Sequence, residues 1–332
     1  MRKNLTISIA AYNVEKYLEK ALKSLIIDDI DKLEVLIVND GSSDNTKKIA
    51  EEYCLKYPKT FKLIDKKNGG YGSTINAGIK AATGKYFKQL DGDDWYDTKN
   101  LNKLINDIDK INSDIIYTPF VTYYEENKKQ EINKNSITTY AGKMHEIDGI
   151  IKNVDVFYMH NLAYKTKLLK ENKINIDEHC FYTDTEYVIL PFMCSKSIYI
   201  NNYPIYIYRV GVEGQSVSRD GRKKHWKDHL NVSYTLMDYY KNNRKKISND
   251  KKNYCEKYLA SIFSAGVARY LMVLKPTVEN YKLIKKYNND IRTTSIEIYN
   301  IMSQKSKTVR YIRKFGYPIY YIINRYKEIR GK

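Results

Sequence analysis

Cysteine is scarce in this chain: its 332 residues include four, Cys54, Cys180, Cys194 and Cys255, with neither paired nor metal-ligand spacing. That excludes a disulfide-stapled fold and suits a reducing compartment. His179-Cys180 is the one adjacent pair of soft ligands, and no second pair lies nearby to complete a zinc site. Long apolar runs are also missing, none approaching the roughly 18 to 20 residues that cross a bilayer. The first apolar stretch follows Arg2 and Lys3 but breaks at Ala11-Tyr12-Asn13, so it reads as an opening strand rather than a signal peptide, and export is not expected. Acid is what the last third lacks. Residues 1–220 carry 31 Lys and Arg against 31 Asp and Glu, residues 221–332 carry 26 against 8, and the whole excess of +18 lies there.

What is present is alternation. β-prone runs at 6–10, 34–38, 61–64, 86–90 and 115–120 are separated by helical patterns at 14–25, 44–57, 72–82 and 100–111. This order predicts an α/β fold on a parallel sheet, with chain enough for one large domain and a smaller appendage. A polar, tyrosine-rich stretch at 121–147 predicts a hairpin or an excursion. Strands near 163–164, 198–200 and 205–208 are expected to complete the sheet, with a helix around 186–194. From Lys223 the chain reads as helical almost throughout, with breaks near 242–253 and 287–290.

Three loops at strand ends carry the chemistry. Leu90-Asp91-Gly92-Asp93-Asp94-Trp95 sets three carboxylates directly after a strand. Open sheets bind ligands there, and a divalent cation holding a diphosphate needs such hard oxygen donors. Asp97 or Thr98 also reads as the cap of the next helix. Asn39-Asp40-Gly41-Ser42-Ser43-Asp44 follows the second strand, and Asp44 reads as a helix cap too. The third loop, Asn68-Gly69-Gly70-Tyr71-Gly72, leads into a helix with glycines where backbone turns tightly or approaches a ligand. Its spacing matches neither a Walker loop nor the dinucleotide fingerprint.

Ala11-Tyr12-Asn13, Asp40-Gly41-Ser42-Ser43-Asp44, Asn68-x-Gly70, Asn76-x-Gly78, Gly84-Lys85-Tyr86 and Leu90-Asp91-Gly92-Asp93-Asp94 occur in that order. In them the chain resembles the inverting family 2 glycosyltransferases of the GT-A fold, of the bacterial surface-glycan type, densely over residues 4–97 and more thinly to about 220. The resemblance implies a Rossmann-like, mostly parallel sheet flanked by helices, as a catalytic domain over 1–220 with nucleotide-sugar binding in 1–120 and the acceptor side in 121–220. A basic helical region over 221–332 follows. It implies a nucleotide-sugar donor, a UDP-sugar by expectation, held by Ala11, Tyr12, Asn13, Asp40, Gly70 and Asn76. Asp40 would accept from the uracil imide, and Tyr12 reads equally as a packed aromatic. Asp91 is implied at the ribose or a metal-bound water and Asp93 in direct coordination of Mn²⁺ or Mg²⁺, with Asp94 a less defined third.

The implied base is Asp184, in Phe181-Tyr182-Thr183-Asp184-Thr185-Glu186-Tyr187. The family pattern often has Glu before that Asp; here Thr183 stands in its place, and Glu186 is the alternative base. An Asp of ordinary pKa, about 3.9, is ionised at neutrality as a base must be, and Asp184 reads also as a helix cap. Tyr208-Arg209-Val210-Gly211 with Gly214-Gln215-Ser216 resembles the segment that closes over the diphosphate, offering Arg209, Gln215 and Ser216 as donors, or else a surface turn. His160 and His225 read as phosphate or acceptor contacts, or as structural.

Nine basic side chains and one acidic one lie between Gln304 and Lys332, with Ile312, Phe315, Ile319, Ile322, Tyr326 and Ile329 at helical spacing and Pro318 dividing the stretch. It reads either as a contact with an anionic membrane or as a stripe packed on the protein. The expected function is metal-dependent transfer of a hexosyl or N-acetylhexosaminyl group to a hydroxyl of a glycan or lipid-linked acceptor, in the cytoplasm or peripheral on the inner face of the membrane. No nucleic-acid partner is expected, because no recognised module accompanies the charge. A rival is a non-catalytic scaffold that keeps the nucleotide pocket and docks on membrane or an acidic polymer. The missing Glu beside Asp184 leans that way.

Overall fold

The computed structural model describes residues 3–211 and 219–329. The chain divides into two units, Met1–Val212 and Glu213–Lys332. The first is built on β1 (Leu5–Ala11), β2 (Leu33–Asp40), β3 (Phe61–Lys66) and β4 (Tyr86–Asp91), joined by α1 (Glu15–Lys23), α2 (Thr46–Lys56) and α3 (Tyr71–Ala81). These strands pair in parallel in the order β3-β2-β1-β4. Every residue of β2 is buried, which is why its sequence is a continuous apolar run and not an alternation. Of its polar residues, Asn39 and Asp40 close the strand and Glu34 is neutralised in place: Lys62 pairs with it, and Thr6 and Thr83 donate to it. α1 turns Leu18, Ala21 and Leu22 inward, the spacing of one helix face.

Beyond β4 the sheet continues through β10 (Leu162–Lys165), β6 (Ile115–Tyr117), β11 (Ser197–Ile200) and β9 (Met144–Glu146), giving eight strands. β10 runs antiparallel to both β4 and β6, so the sheet is mixed. The single strand predicted over 115–120 is broken at Thr118-Pro119, because proline has no N–H for a ladder. Past the break, β7 (Phe120–Tyr124) enters a second sheet of order β5-β12-β7-β8, with β5 (Trp95–Tyr96), β8 (Gln130–Asn133) and β12 (Tyr206–Val210). β12 therefore belongs to this second sheet instead of completing the first. β7 and β8 form the hairpin expected in 121–147. α4 (Thr98–Asp107) starts at Asp97, whose carboxylate accepts from the Asn100 N–H. α5 (Ile147–Ile150), α6 (Thr166–Glu171) and α7 (Asp184–Cys194) complete the unit.

The second unit is helical: α8 (Arg219–Lys224), α9 (Trp226–Asn243), α10 (Asn249–Ala265), α11 (Val278–Thr294), α12 (Ile296–Lys305), α13 (Lys307–Phe315) and α14 (Tyr317–Ile329). Ser248, Thr277, Ser295 and Ser306 cap α10 to α13 by accepting from the N–H groups of Lys251, Asn280, Ile298 and Val309. The break predicted at 287–290 does not occur. α11 runs through it, because Tyr287 and Asn288 are buried and Asn288 Oδ1 accepts from Arg313. The final stripe is in two pieces, but the hinge is Gly316, at φ +71°, and Pro318 sits in the first turn of α14 where it is tolerated. Ile312 packs inward, whereas Phe315, Ile322 and Tyr326 are exposed. Among the described residues no helix is long and apolar enough to cross a membrane.

Candidate active site

Parallel pairing brings strand ends level. Ala11 of β1 faces Asn39 of β2 and Ala10 faces Asp91 of β4, so Asp40 and Asp91 leave the sheet on either side of β1. A cavity of about 590 Å³ opens at this edge, within the range of about 300 to 1,000 Å³ usual for ligand pockets. Of the residues singled out in the sequence, Ala11, Tyr12, Asp40, Gly70, Asp91 and Asp93 line it; Asn13, Asn76, Arg209 and Asp184 do not. Gln215 and Ser216 lie outside the described residues. The wall is completed by Tyr71 and by His179, Cys180 and Phe181, from the segment before α7.

Asp40 holds the glycine loop in shape. Its Oδ1 accepts from Lys66 Nζ (2.6 Å) and the Gly69 N–H (2.9 Å), and its Oδ2 accepts from the Gly70 N–H (2.9 Å). Gly70 has φ +81°, and a Cβ there would lie 3.1 Å from the His179 nitrogen; a Cβ on Gly72 would lie 2.0 Å from the Asp177 carbonyl oxygen. Glycine is what lets this loop seat against the segment before α7. Asn76 pins the same segment from α3: its Nδ2 donates to the Ile176 carbonyl (2.8 Å), and its Oδ1 accepts from the Ile176 N–H (2.9 Å). Asn13, at φ +53°, joins the loops after β1 and β2 by accepting from the Ser43 N–H (2.9 Å). Asp44 accepts from the first N–H of both α1 and α2, Glu15 and Thr46, so it caps two helices.

The three carboxyls after β4 do different things. Asp91 Oδ1 accepts from the Tyr71 hydroxyl (2.6 Å). Asp94 is buried, with Oδ2 accepting from the Tyr206 hydroxyl (2.6 Å) and Oδ1 from the Arg209 N–H (2.7 Å), and so fastens β12 to this loop. Burial, then the charge of Asp93, pushes Asp91 up to about 7, with the Asp184 charge adding and the Tyr71 bond opposing. Burial, then the charges of Asp91 and Asp93, holds Asp94 well above the usual carboxylate range. Asp93 is raised by burial, with the Arg209 charge working against it. Carboxyls that cannot ionise together without cost form a site for a cation.

Asp91, Asp94 and His160 each offer one donor atom, all within 4.8 Å of one another. Nδ1 of His160 is buried without a hydrogen-bond partner, and burial keeps the imidazole neutral, its pKa pulled down to about 3. A neutral imidazole beside carboxylates is a donor set that fits a divalent cation, and Asp93 adds a further carboxylate from the cavity wall. His160 stacks on Tyr208 with centroids 4.4 Å apart, and its carbonyl accepts from Lys88 Nζ (2.7 Å), a lysine buried in β4. Sequence patterns gave no sign of Lys88, Tyr71 or Tyr206. Tyr206 is separated from Asp94 by 112 positions.

Asp184 opens α7. Its side chain keeps solvent access, yet the protein massed around it raises its carboxyl pKa, the Thr185 N–H opposing. Its charge is among the causes that raise Asp91. Glu186 is buried, its Oε2 accepts from the Asp177 N–H (2.8 Å), and burial lifts it to about 8. It is therefore protonated at neutrality and holds the preceding segment, which disfavours it as a base. Thr183, where the family pattern has Glu, is fully buried. Arg209 lies among Tyr17, Trp95 and Glu125, its Nη1 3.2 Å from Glu125 Oε2. His225 Nδ1 lies 2.9 Å from Asp228 Oδ2 in the second unit.

The model of "Glycosyl transferase family 2" matches residues 6–173, the stretch that supplies every strand of the β3-β2-β1-β4 core and its loops. The chain belongs to glycosyl transferase family 2. Of its relatives, the minor teichoic acid biosynthesis protein GgaB of Bacillus subtilis (strain 168) is 28% identical over 253 residues, 74% of this chain and 27% of that one. The uncharacterized glycosyltransferase EpsJ of the same strain is 26% identical over 209 residues, 62% of this chain and 60% of that one. This family 2 chain thus spans 27% and 60% of the lengths of these two relatives. Among solved structures, S. aureus TarS 1–349 in complex with UDP-GlcNAc aligns with a TM-score of 0.70 at 19% identity, over 99% of this chain and 92% of that one. The shared fold is GT-A.

Proposed function

We propose that this family 2 chain transfers a sugar from a UDP-sugar to a hydroxyl of a cell-surface glycan or its lipid-linked precursor, with inversion at the anomeric carbon. The observation that carries the reading is the cavity at the carboxyl edge of the sheet, walled by Asp40, Asp91 and Asp93 and by the 179–181 segment that leads into α7 and Asp184. Asp184 takes the proton of the acceptor hydroxyl, and the raised pKa of its carboxyl makes it a stronger base than a free Asp. The acceptor oxygen then attacks the anomeric carbon from the face opposite the diphosphate, turning an α-linked donor into a β-linked product. Asp91 and Asp93, with His160 beside them, would hold Mn²⁺ or Mg²⁺, which when bound supplies counter-charge to a diphosphate. Asp40 and the 68–72 loop shape the nucleotide end. The UDP-GlcNAc in the TarS complex supports a UDP-sugar donor, and the likeness to the minor teichoic acid biosynthesis protein GgaB supports a surface-polymer acceptor. The scaffold alternative predicts nucleotide binding without turnover, whereas a solvent-accessible base beside the cavity favours catalysis.

Titration calorimetry with UDP, GDP and dTDP in the presence of Mn²⁺ tests the donor side. Tight binding of UDP alone, weakened in Asp91→Asn, is expected; equal binding of all three would remove the uracil assignment. The second unit contributes a peripheral membrane contact through Tyr311, Phe315, Ile322 and Tyr326, which are exposed near Arg310, Lys314 and Arg325. Sedimentation with phosphatidylglycerol vesicles, lost in Phe315→Ser/Ile322→Ser, is the corresponding check.

A further inference from the structure

A second charged cavity lies at the opposite end of β4. It has a volume of about 460 Å³ and is bounded by Lys85, Lys165, Thr166, Lys167 and Lys170, with no Asp or Glu in its wall. General basicity does not explain it, because residues 1–220 carry equal numbers of basic and acidic side chains. The lysines are held in place. Lys85 Nζ donates to the carbonyls of Ile108 and Asp109, Lys165 Nζ to Asn112, and Lys170 Nζ to the carbonyls of Lys80 (3.2 Å) and Ala82 (2.8 Å). An ammonium has three donors, and fixing it beforehand lowers the entropy cost of binding. Among the described residues, Lys167 pairs with the exposed Glu171, at 3.5 Å. The nearest buried carboxylate, Glu34, is already satisfied by Lys62, Thr6 and Thr83.

An independent observation points to a ligand. Thr166 is 6% exposed, borders the cavity, and its Oγ1 is buried with no hydrogen-bond partner. A buried hydroxyl left without a partner costs stability, and an oxyanion would accept from it. Lys170 also borders an adjoining groove of about 670 Å³ lined by Lys66, Lys80 and Lys173 together with one carboxylate, Glu178, which accepts from Asn76 Nδ2.

We propose that this cavity and groove bind a linear phosphodiester polymer, phosphate by phosphate, and that the polymer is the glycan acceptor of the reaction proposed above. Lysine suits phosphate as a point charge. No aromatic side chain lines either space, so there is no platform on which nucleic-acid bases stack. Both are concave and present no large exposed apolar side chain, unlike a membrane-binding face. The binding stands on the lysines and Thr166; only the naming of the polymer as acceptor rests on the glycosyltransferase reading.

The test is fluorescence anisotropy of a labelled glycerol-phosphate oligomer with the full chain, over a salt series. The variants are Lys167→Glu/Lys173→Glu, both exposed, and Thr166→Val, which keeps the packed shape. The oligomer is expected to bind with steep salt dependence, and the double variant to bind at least about tenfold more weakly. Thr166→Val should weaken binding with thermal stability unchanged or raised. Donor hydrolysis should be unaffected, which separates this site from the catalytic one. An RNA oligomer of equal charge should bind more weakly than the glycerol-phosphate oligomer, and phosphatidylglycerol vesicles should be bound equally by wild type and double variant. Undiminished oligomer binding in the double variant, preference for RNA, or loss of vesicle binding instead would overturn the proposal.

Discussion

β4 carries opposite chemistry at its two ends. Lys85 precedes it and belongs to a cavity walled by lysines, and Asp91 ends it, in a cavity walled by carboxyls. The six residues of the strand separate the two by about 20 Å. One sheet thus presents acid at its carboxyl edge, the proposed place of cation and diphosphate, and base at its amino edge, the proposed place of the phosphodiester polymer. Charge that averages to zero over residues 1–220 is placed unevenly between these two cavities.

Removing the base at the carboxyl edge should have the largest effect. Asp184→Asn is expected to lower transfer by about 10²- to 10⁴-fold while UDP affinity stays within twofold or so, measured by product formation alongside titration calorimetry. Asp93→Asn should lower transfer by about 10²- to 10³-fold, with Mn²⁺ affinity falling in parallel; turnover that survives in this variant would detach the carboxyls from the chemistry. Gly72→Ala tests the backbone that frames the acidic edge. Its Cβ would be forced against the Asp177 carbonyl, and urea unfolding should report a loss of about 2 to 4 kcal/mol, with transfer impaired as the segment leading to Asp184 shifts.

The pH dependence of stability should also separate buried acid from exposed. Glu186, raised from 4.5 to about 8 by burial, binds more protons folded than unfolded between those values. Its contribution is therefore fully present below the unfolded pKa and is lost as pH rises through about 8, a change on the order of a few kcal/mol. Urea unfolding from pH 5 to 8 should show this decline, and Glu186→Gln should flatten it. The smallest effect, about tenfold in oligomer binding, is expected at the amino edge in Lys167→Glu/Lys173→Glu.

Much of the acidic edge was legible because its signals are local. Parallel strands buried on both faces, such as β2, read as apolar runs, and the loops after β2 and β4 announce themselves through Asp and Gly. What escaped is long-range. Asn76 looks like a donor contact, but its amide is bound to backbone 100 positions away at Ile176. Tyr206 and Lys88 sit in strand patterns, and their partners become visible only when the chain is folded. Polar residues misled in the second unit: 287–290 reads as a break until Arg313 is seen to occupy Asn288. At the amino edge Lys165, Lys167 and Lys170 lie close together in the chain, and the topology brings Lys85 to them.

The most direct test is the product. With a UDP-sugar, Mn²⁺ and a glycan acceptor, NMR of the new linkage and release of UDP should be followed together for wild type and Asp184→Asn. A β-linked product formed one-for-one with UDP by wild type, and none by a variant that still binds UDP, is the predicted result. An α-linked product, or undiminished transfer by Asp184→Asn, would contradict inversion through Asp184.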